Sequence, residues 1–170
     1  IYTPSTGTFA PIVSAGFPAG AGTVAFLDGY FICEAPNTNT YFYSSLYDGT
    51  SWNALDYNAA EAAPDNVVAV ASIFGFLYVF GEYTTEVWYD SGDALTVFTR
   101  ADGMVSSVGL LAKFSVAKVG DTGNVLCWLA TTPQGLGFAV ANMGGATTQR
   151  ISTPEIEYKW SKYSTLTDAT

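Results

Sequence analysis

Short runs rich in aromatic and β-branched residues alternate with Gly-, Asp- and Ser-containing turns along most of the chain, which is the pattern of β-strands. Three of these runs open on glycine: Gly29-Tyr30-Phe31-Ile32-Cys33, Gly75-Phe76-Leu77-Tyr78-Val79 and Gly123-Asn124-Val125-Leu126-Cys127. They stand 46 and 48 residues apart. A period of about 40 to 50 residues in strand-rich sequence is that of a propeller blade, a four-stranded sheet repeated around an axis. The expected fold is all-β: a partial β-propeller of about three four-stranded antiparallel blades, spanning roughly 23–57, 67–102 and 110–151.

Each copy carries four strand-like segments. In the first, Thr23 to Leu27 turns through Asp28-Gly29 into Tyr30 to Cys33. Both turn residues tolerate positive φ, so the pair is a strong hairpin signal. Thr40 to Leu46 and Trp52 to Tyr57 follow, separated by the loop Asp48-Gly49-Thr50. The second copy reads Val67 to Phe74, Phe76 to Phe80, Thr84 to Tyr89, a turn at Ser91-Gly92-Asp93, and Leu95 to Arg100. In the third, Phe114 to Val119, the loop Gly120-Asp121-Thr122-Gly123, Val125 to Ala130, Gly137 to Ala141 and Thr147 to Ile151 repeat the plan.

Partial blades are expected on either side, at 6–12 and 166–170. One short helix is expected near 153–163, where Ser152 and Glu155 have capping-box spacing and Pro154 suits the first turn. Ile156, Trp160 and Tyr163 would share its docked face. Cys33 and Cys127 both lie four residues after the leading glycine, where the second copy has Val79. That predicts equivalent, buried free thiols, two blades apart and beyond the roughly 4.4 to 6.8 Å Cα separation of a disulfide.

Composition narrows what such a fold could do. Apolar residues are 49% of the chain and charged residues only 12%, leaving a surface of neutral polar and aromatic groups suited to subunit contacts. Six Lys and Arg against fifteen Asp and Glu give a net charge of −9, which argues against binding a phosphate backbone. The opening Ile1-Tyr2-Thr3-Pro4 has no initiator Met, basic lead or apolar stretch, and reads as internal to a longer polypeptide. Val67 to Phe80 is apolar enough to raise a membrane span. As a helix it would reach about 21 Å, short of the roughly 30 Å hydrocarbon core, so two buried strands are expected instead.

The absence of histidine excludes Ser-His-Asp and Cys-His nucleophiles and imidazole-based zinc sites. Paired carboxylates are the remaining catalytic chemistry, since glycosidase propellers use two acids facing a cleft. Asp28, Asp56, Glu61, Asp65, Glu82 and Glu86 are the candidates. Asp28, Asp48, Asp90 and Asp102 sit where turns favour Asp, and Glu82 and Glu86 flank a strand expected to be exposed. Asp90-Ser91-Gly92-Asp93 lacks the further ligands of an EF-hand and reads as a solvated turn. Trp52, Tyr57, Trp88 and Tyr89 could stack on sugars if exposed. Arg100 and Arg150, at the ends of corresponding strands, suggest a blade-linking salt bridge. No catalytic, cofactor-binding or metal-ligating residue is expected, and the protein is read as a non-enzyme.

Several segments resemble the packaged-DNA stabilisation proteins of short-tailed phages. They are Phe26-Leu27-Asp28-Gly29-Tyr30-Phe31-Ile32, Tyr43-Ser44-Ser45-Leu46-Tyr47-Asp48-Gly49, Trp52-Asn53-Ala54-Leu55-Asp56-Tyr57, and the run from Phe80-Gly81-Glu82-Tyr83 through Trp88-Tyr89-Asp90-Ser91-Gly92-Asp93. Ser115-Val116-Ala117-Lys118, Arg150-Ile151-Ser152-Thr153 and Tyr163-Ser164-Thr165 continue the likeness in order. The resemblance implies a virion structural protein of a tail nozzle or head-completion ring that closes the portal channel and retains DNA. It implies a homo-oligomeric ring, portal or adaptor and distal tail proteins as partners, no membrane, and assembly in the host cytoplasm. A carbohydrate- or receptor-binding tail module is the alternative, and a glycosidase fragment a further one.

Overall fold

The computed structural model describes residues 1–120, 125–131, 137–142, 147–163 and 165–168. Strands β1 (Tyr2–Thr3) and β2 (Thr8–Phe9) form a small separate hairpin, of which only β2 falls in residues 6–12, where part of an earlier blade was expected. Next, β3 (Val24–Leu27), β4 (Tyr30–Glu34), β5 (Thr40–Ser45) and β6 (Asp48–Ala59) form an antiparallel sheet in sequence order. The second sheet repeats this order with β7 (Val67–Ile73), β8 (Phe76–Gly81), β9 (Thr85–Asp90) and β10 (Phe98–Ser106). A third is built from β11 (Gly109–Leu110), β12 (Ala117–Val119), β13 (Val125–Thr131), β14 (Gly137–Asn142) and β15 (Gln149–Arg150). Two four-stranded antiparallel sheets, a third whose first strand is split in two and, among the described residues, one short α-helix bear out the all-β, partial-propeller reading.

The elements depart from the sequence reading where side chains overrule the strand pattern. The turn between β5 and β6 falls at Leu46-Tyr47, with Tyr47 at φ 57°, and Asp48 already faces Ser45 across the ladder. Asp48 Oδ1 accepts from the Thr50 N–H and hydroxyl at the start of β6. Strand β10 begins at Phe98, not Leu95, because Asp93 Oδ1 accepts the N–H groups of Leu95 and Thr96 and holds them in the loop. It then runs on to Ser106 through a register shift between Arg100 and Val105.

The third sheet's first strand is split, with β11 and β12 pairing opposite ends of β13. Ser115 causes the break: its hydroxyl donates to Ala112 O and accepts the Leu129 N–H, replacing a ladder bond. The loop expected at Gly120 to Gly123 lies largely outside the described residues, as does the leading Gly123.

Helix α1 spans Pro154–Trp160, shorter than expected, and the capping box is not made. Thr153 is the N-cap without a side-chain bond, and Ser152 Oγ donates instead to Glu157. Of the expected docked face, Trp160 is half-buried while Ile156 and Tyr163 stay 43% and 65% exposed, and no helix residue is fully buried. The Arg150–Glu157 ion pair ties α1 to β15. Leu166–Asp168 form one 3-10 turn where a new strand was expected, and residues 169–170 lie outside the described residues.

The sheets stack face to face, and alternation along each strand assigns side chains to faces. Leu27, Ile32, Tyr41 and Tyr43 of the first sheet meet Val70, Leu77, Val79 and Trp88 of the second in one core. On the second sheet's other face, Ile73, Tyr78, Phe80 and Val87 meet Leu126, Trp128, Ala130 and Val140 of the third. A sheet covered on both sides reads as continuous apolar sequence, which explains Val67 to Phe80 without a membrane. Among the described residues no helix is long and apolar enough to cross one.

One shift of 46 residues carries each face of the first sheet onto its counterpart in the second. Leu27, Ile32 and Tyr41 become Ile73, Tyr78 and Val87, all in the second core, while Val24, Phe31, Cys33 and Phe42 become Val70, Leu77, Val79 and Trp88, all in the first. For the third sheet the shift is 49, not the 48 expected, since Leu126 and Trp128 take the places of Leu77 and Val79. One residue of slip turns a side chain to the opposite face. Cys127 is therefore not the equivalent of Cys33 and faces away from the second sheet, half-buried, while Cys33 is buried; both thiols are free.

The β7–β8 turn puts Phe74 at φ 57° and Gly75 at φ 75°. An L-residue with a bulky side chain pays about 1–2 kcal/mol in the left-handed region, whereas Asn tolerates it. Phe74 is 43% exposed and has little packing to lose. Phe74→Asn is expected to raise stability by about 1 kcal/mol, measured by urea denaturation, and Gly75→Ala to lower it.

Candidate functional site at the sheet junctions

Three carboxylates are buried where the chain enters or leaves a sheet: Glu34, Asp65 and Glu86, with relative exposures of 0%, 7% and 1%. A buried carboxylate requires hydrogen bonds or a partner charge, and each of these has them. Glu34, at the end of β4, accepts the N–H groups of Gly22 (2.7 Å) and Thr23 (3.0 Å) and the Thr23 hydroxyl (2.5 Å). The Lys113 ammonium lies 2.9 Å from its Oε1. Thr23 Oγ1 in turn accepts the Val70 N–H of β7. One carboxylate thus joins the entry to the first sheet, the first strand of the second and the lysine between β11 and β12.

Glu86, the second residue of β9, accepts the Ala62 N–H (2.7 Å) from the segment between the first two sheets through one oxygen and the Trp88 indole N–H (3.0 Å) through the other. Arg100 stands 3.8 Å from that second oxygen. Asp65 accepts the N–H groups of Tyr83 (2.8 Å) and Thr84 (3.0 Å) and so caps the β8–β9 turn. It leaves no room at Gly81, where a Cβ would lie 2.3 Å from the carboxylate.

The other acids are dispersed. Asp28 lies in the β3–β4 turn at φ 47°. Asp56 pairs with Asn53 and Glu82 with Asn66, while Glu61 is exposed. Asp90 accepts the Gly92 N–H and Asp93 its own loop's N–H groups. Among the described residues no three of His, Cys, Asp and Glu come together as a metal site. Glu86, expected beside an exposed strand, is instead an interior group, and with Asp65 it holds backbone N–H groups in place of a reacting atom.

Two of the four candidate aromatics are corrected as well. Trp52 is 6% and Trp88 8% exposed, packed edge-on against Phe17 and Tyr41 respectively. Tyr57 and Tyr89 remain open at 46% and 38%. The two arginines do not link blades: Arg100 pairs within its own sheet and Arg150 with the helix. The ion pair that does join sheets, Glu34 with Lys113, was missed. Its signal was a charged residue set flush against an apolar run, Ile32-Cys33-Glu34 and Leu111-Ala112-Lys113.

The first strands of the sheets line a groove of about 550 Å³, with Thr23, Val24, Val70, Ser72, Lys113 and Lys118 on its walls. Burial, and secondarily the Glu34 charge, push the Cys33 thiol up to about 12, and burial pushes the Cys127 thiol up too. Neither is a poised nucleophile. Burial, with a further contribution from Glu86, holds the Tyr41 phenol well above its usual range.

Stacked antiparallel sheets joined at their junctions by buried carboxylates define a partial β-propeller. Residues 18–169 match the family described as bacteriophage P22 Gp10, beta-propeller. The chain belongs to that family of phage structural, DNA-stabilisation proteins. No curated protein matches it.

Glu34→Gln leaves Lys113 and the Thr23 donors without their anion, and removing one partner of a buried pair costs about 3–5 kcal/mol. Lys113→Met should cost less, because Gly22 and Thr23 still satisfy Glu34. Urea denaturation of the two variants checks that order, and equal losses would contradict it. Because the folded Cys33 pKa is raised, its contribution to stability is full below pH 9.0 and lost as pH rises towards about 12. Cys33→Val should therefore show a shallower loss of stability than the parent between these limits, read from denaturation midpoints across the pH series.

Proposed function

We propose that this chain forms part of the wall of a phage nozzle or head-completion ring, which closes the portal channel after packaging and retains the DNA. The observation that carries the reading is the family match across residues 18–169 of a chain whose sheets stack as propeller blades. Portal or adaptor proteins on one side and distal tail proteins on the other are the partners, with further copies of the same protein around the ring.

The charge pattern supports a wall that DNA passes without sticking. Net charge is −9, and no Lys or Arg occurs before Arg100. Of the six cations, Arg100, Lys113 and Arg150 already face carboxylates. Phosphate binding depends on unengaged Lys and Arg, so the first two sheets offer a phosphate chain repulsion.

Virions assembled without the full protein should package DNA and then lose it, leaving empty heads by electron microscopy and no protected genome after nuclease treatment. Heads that stay full and eject normally would refute the assignment.

A further inference from the structure

The hairpin turns of the first two sheets gather at one end of the stack. In sheets whose strands run in sequence order, the β3–β4 and β5–β6 turns leave by the same end, as do the β7–β8 and β9–β10 turns. The Tyr47 N–H donates to Gly29 O at 2.7 Å and joins the first two turns. Phe26, Leu27, Ile73, Phe74 and Lys118 line one shallow cleft of about 440 Å³, which sets the β7–β8 turn beside β3. Tyr30, just past the first turn, packs edge-on against Phe98, where the β9–β10 loop ends.

This rim carries large apolar side chains that the fold does not use. Leu95 is 95% and Tyr47 76% exposed, and Leu46 and Phe74 are exposed as well. Tyr47 and Phe74 both hold left-handed backbone, at φ 57°, which disfavours bulky side chains. The turn itself does not call for Phe74. The 46-residue shift puts Asp28 in the same place, at φ 47°, and Asp tolerates that conformation. A strained aromatic held in solvent, where a small polar residue serves the turn better, points to contact with something outside the chain.

The charges around the tips say what kind of surface fits. Asp28, Asp48 and Asp93 are exposed in the same turns, with Asp90 half-buried beside them. Lys118 lines the cleft on its third-sheet side, and the turns themselves contain no Lys or Arg. The same face of a second copy would set acids against acids, and like charges oppose that contact. We infer that the tips around Tyr47, Phe74 and Leu95 dock on a different protein of the virion, one whose surface sets Lys and Arg around apolar hollows. The tips fill the hollows as anchors, and Asp28, Asp48 and Asp93 pair with the cations at the edge. The inference rests on the reading of the chain as part of a virion wall and adds which face makes the contact.

Carbodiimide treatment of intact virions is the first test. The reagent condenses a carboxylate with a lysine amine in contact with it, forming an amide and taking up the water as a urea. Peptide mapping should find Asp28, Asp48 or Asp93 joined to lysines of a different protein. Binding of the full-length protein to DNA-filled heads that lack it is the second test. Phe74→Asn, Tyr47→Asn and Leu95→Ser should each need at least about tenfold more protein for half-occupancy, although Phe74→Asn resists urea better than the parent. Half-occupancy by the parent should also need more protein as salt rises. Virions that lack the protein would refute the wall reading and this inference with it. Protein present in virions whose Asp28, Asp48 and Asp93 form no cross-links, or cross-links only to copies of the chain, would overturn this inference alone, as would variants that bind heads like the parent.

Discussion

Everything in this fold depends on the burial of one sheet face against the next. Each strand sends alternate side chains to opposite faces, so a middle sheet with neighbours on both sides must be apolar at every position. That is why β7 and β8 carry Val, Ala, Ile, Phe, Leu and Tyr almost without interruption, and why Leu77 and Tyr78, adjacent in sequence, fall in different cores. It also makes register the quantity the sequence has to encode. A slip of one residue would exchange the two cores wholesale.

Stacking leaves the connecting segments with a problem that sheet pairing cannot solve. Their N–H groups lie near the apolar layers but have no ladder partner, and an unpaired buried donor costs about 1–3 kcal/mol. A carboxylate has several acceptor sites and can serve more than one segment at once. Glu34, Asp65 and Glu86 are used in this way. Their burial is explained by the donors they satisfy, which takes them out of the pool from which acid–base chemistry could be built.

The repeat and the hairpin at Asp28-Gly29 were legible because they rest on local rules: glycine-led strands and positive φ at two-residue turns. Face assignment in the third sheet was not, because it turns on a single residue of offset that spacing between glycines measures too coarsely. Cys127 was misplaced for that reason. The splitting of β11 from β12 depends on the Ser115 hydroxyl reaching a strand fourteen residues away, and the helix cap failed because Glu157, not Glu155, meets Ser152. The Glu34–Lys113 pair joins residues 79 apart and leaves only a faint local trace, a charge abutting an apolar run.

That long separation follows from the charge layout itself. The first 99 residues hold ten carboxylates and no Lys or Arg. A buried Glu34 therefore finds no cation within its own sheet or most of the next, and the first one able to enter the interior beside it is Lys113, delivered by the entry to the third sheet. The first sheet's polar anchor is incomplete until the third is in place, so the stack is coupled across its whole width by one ion pair as well as by the two cores. The same layout leaves the remaining acids of the first two sheets without counter-charges beyond Arg100. In this member of the phage family the first two sheets thus carry acids almost without cations, and the one lysine that reaches Glu34 is held there by a buried carboxylate.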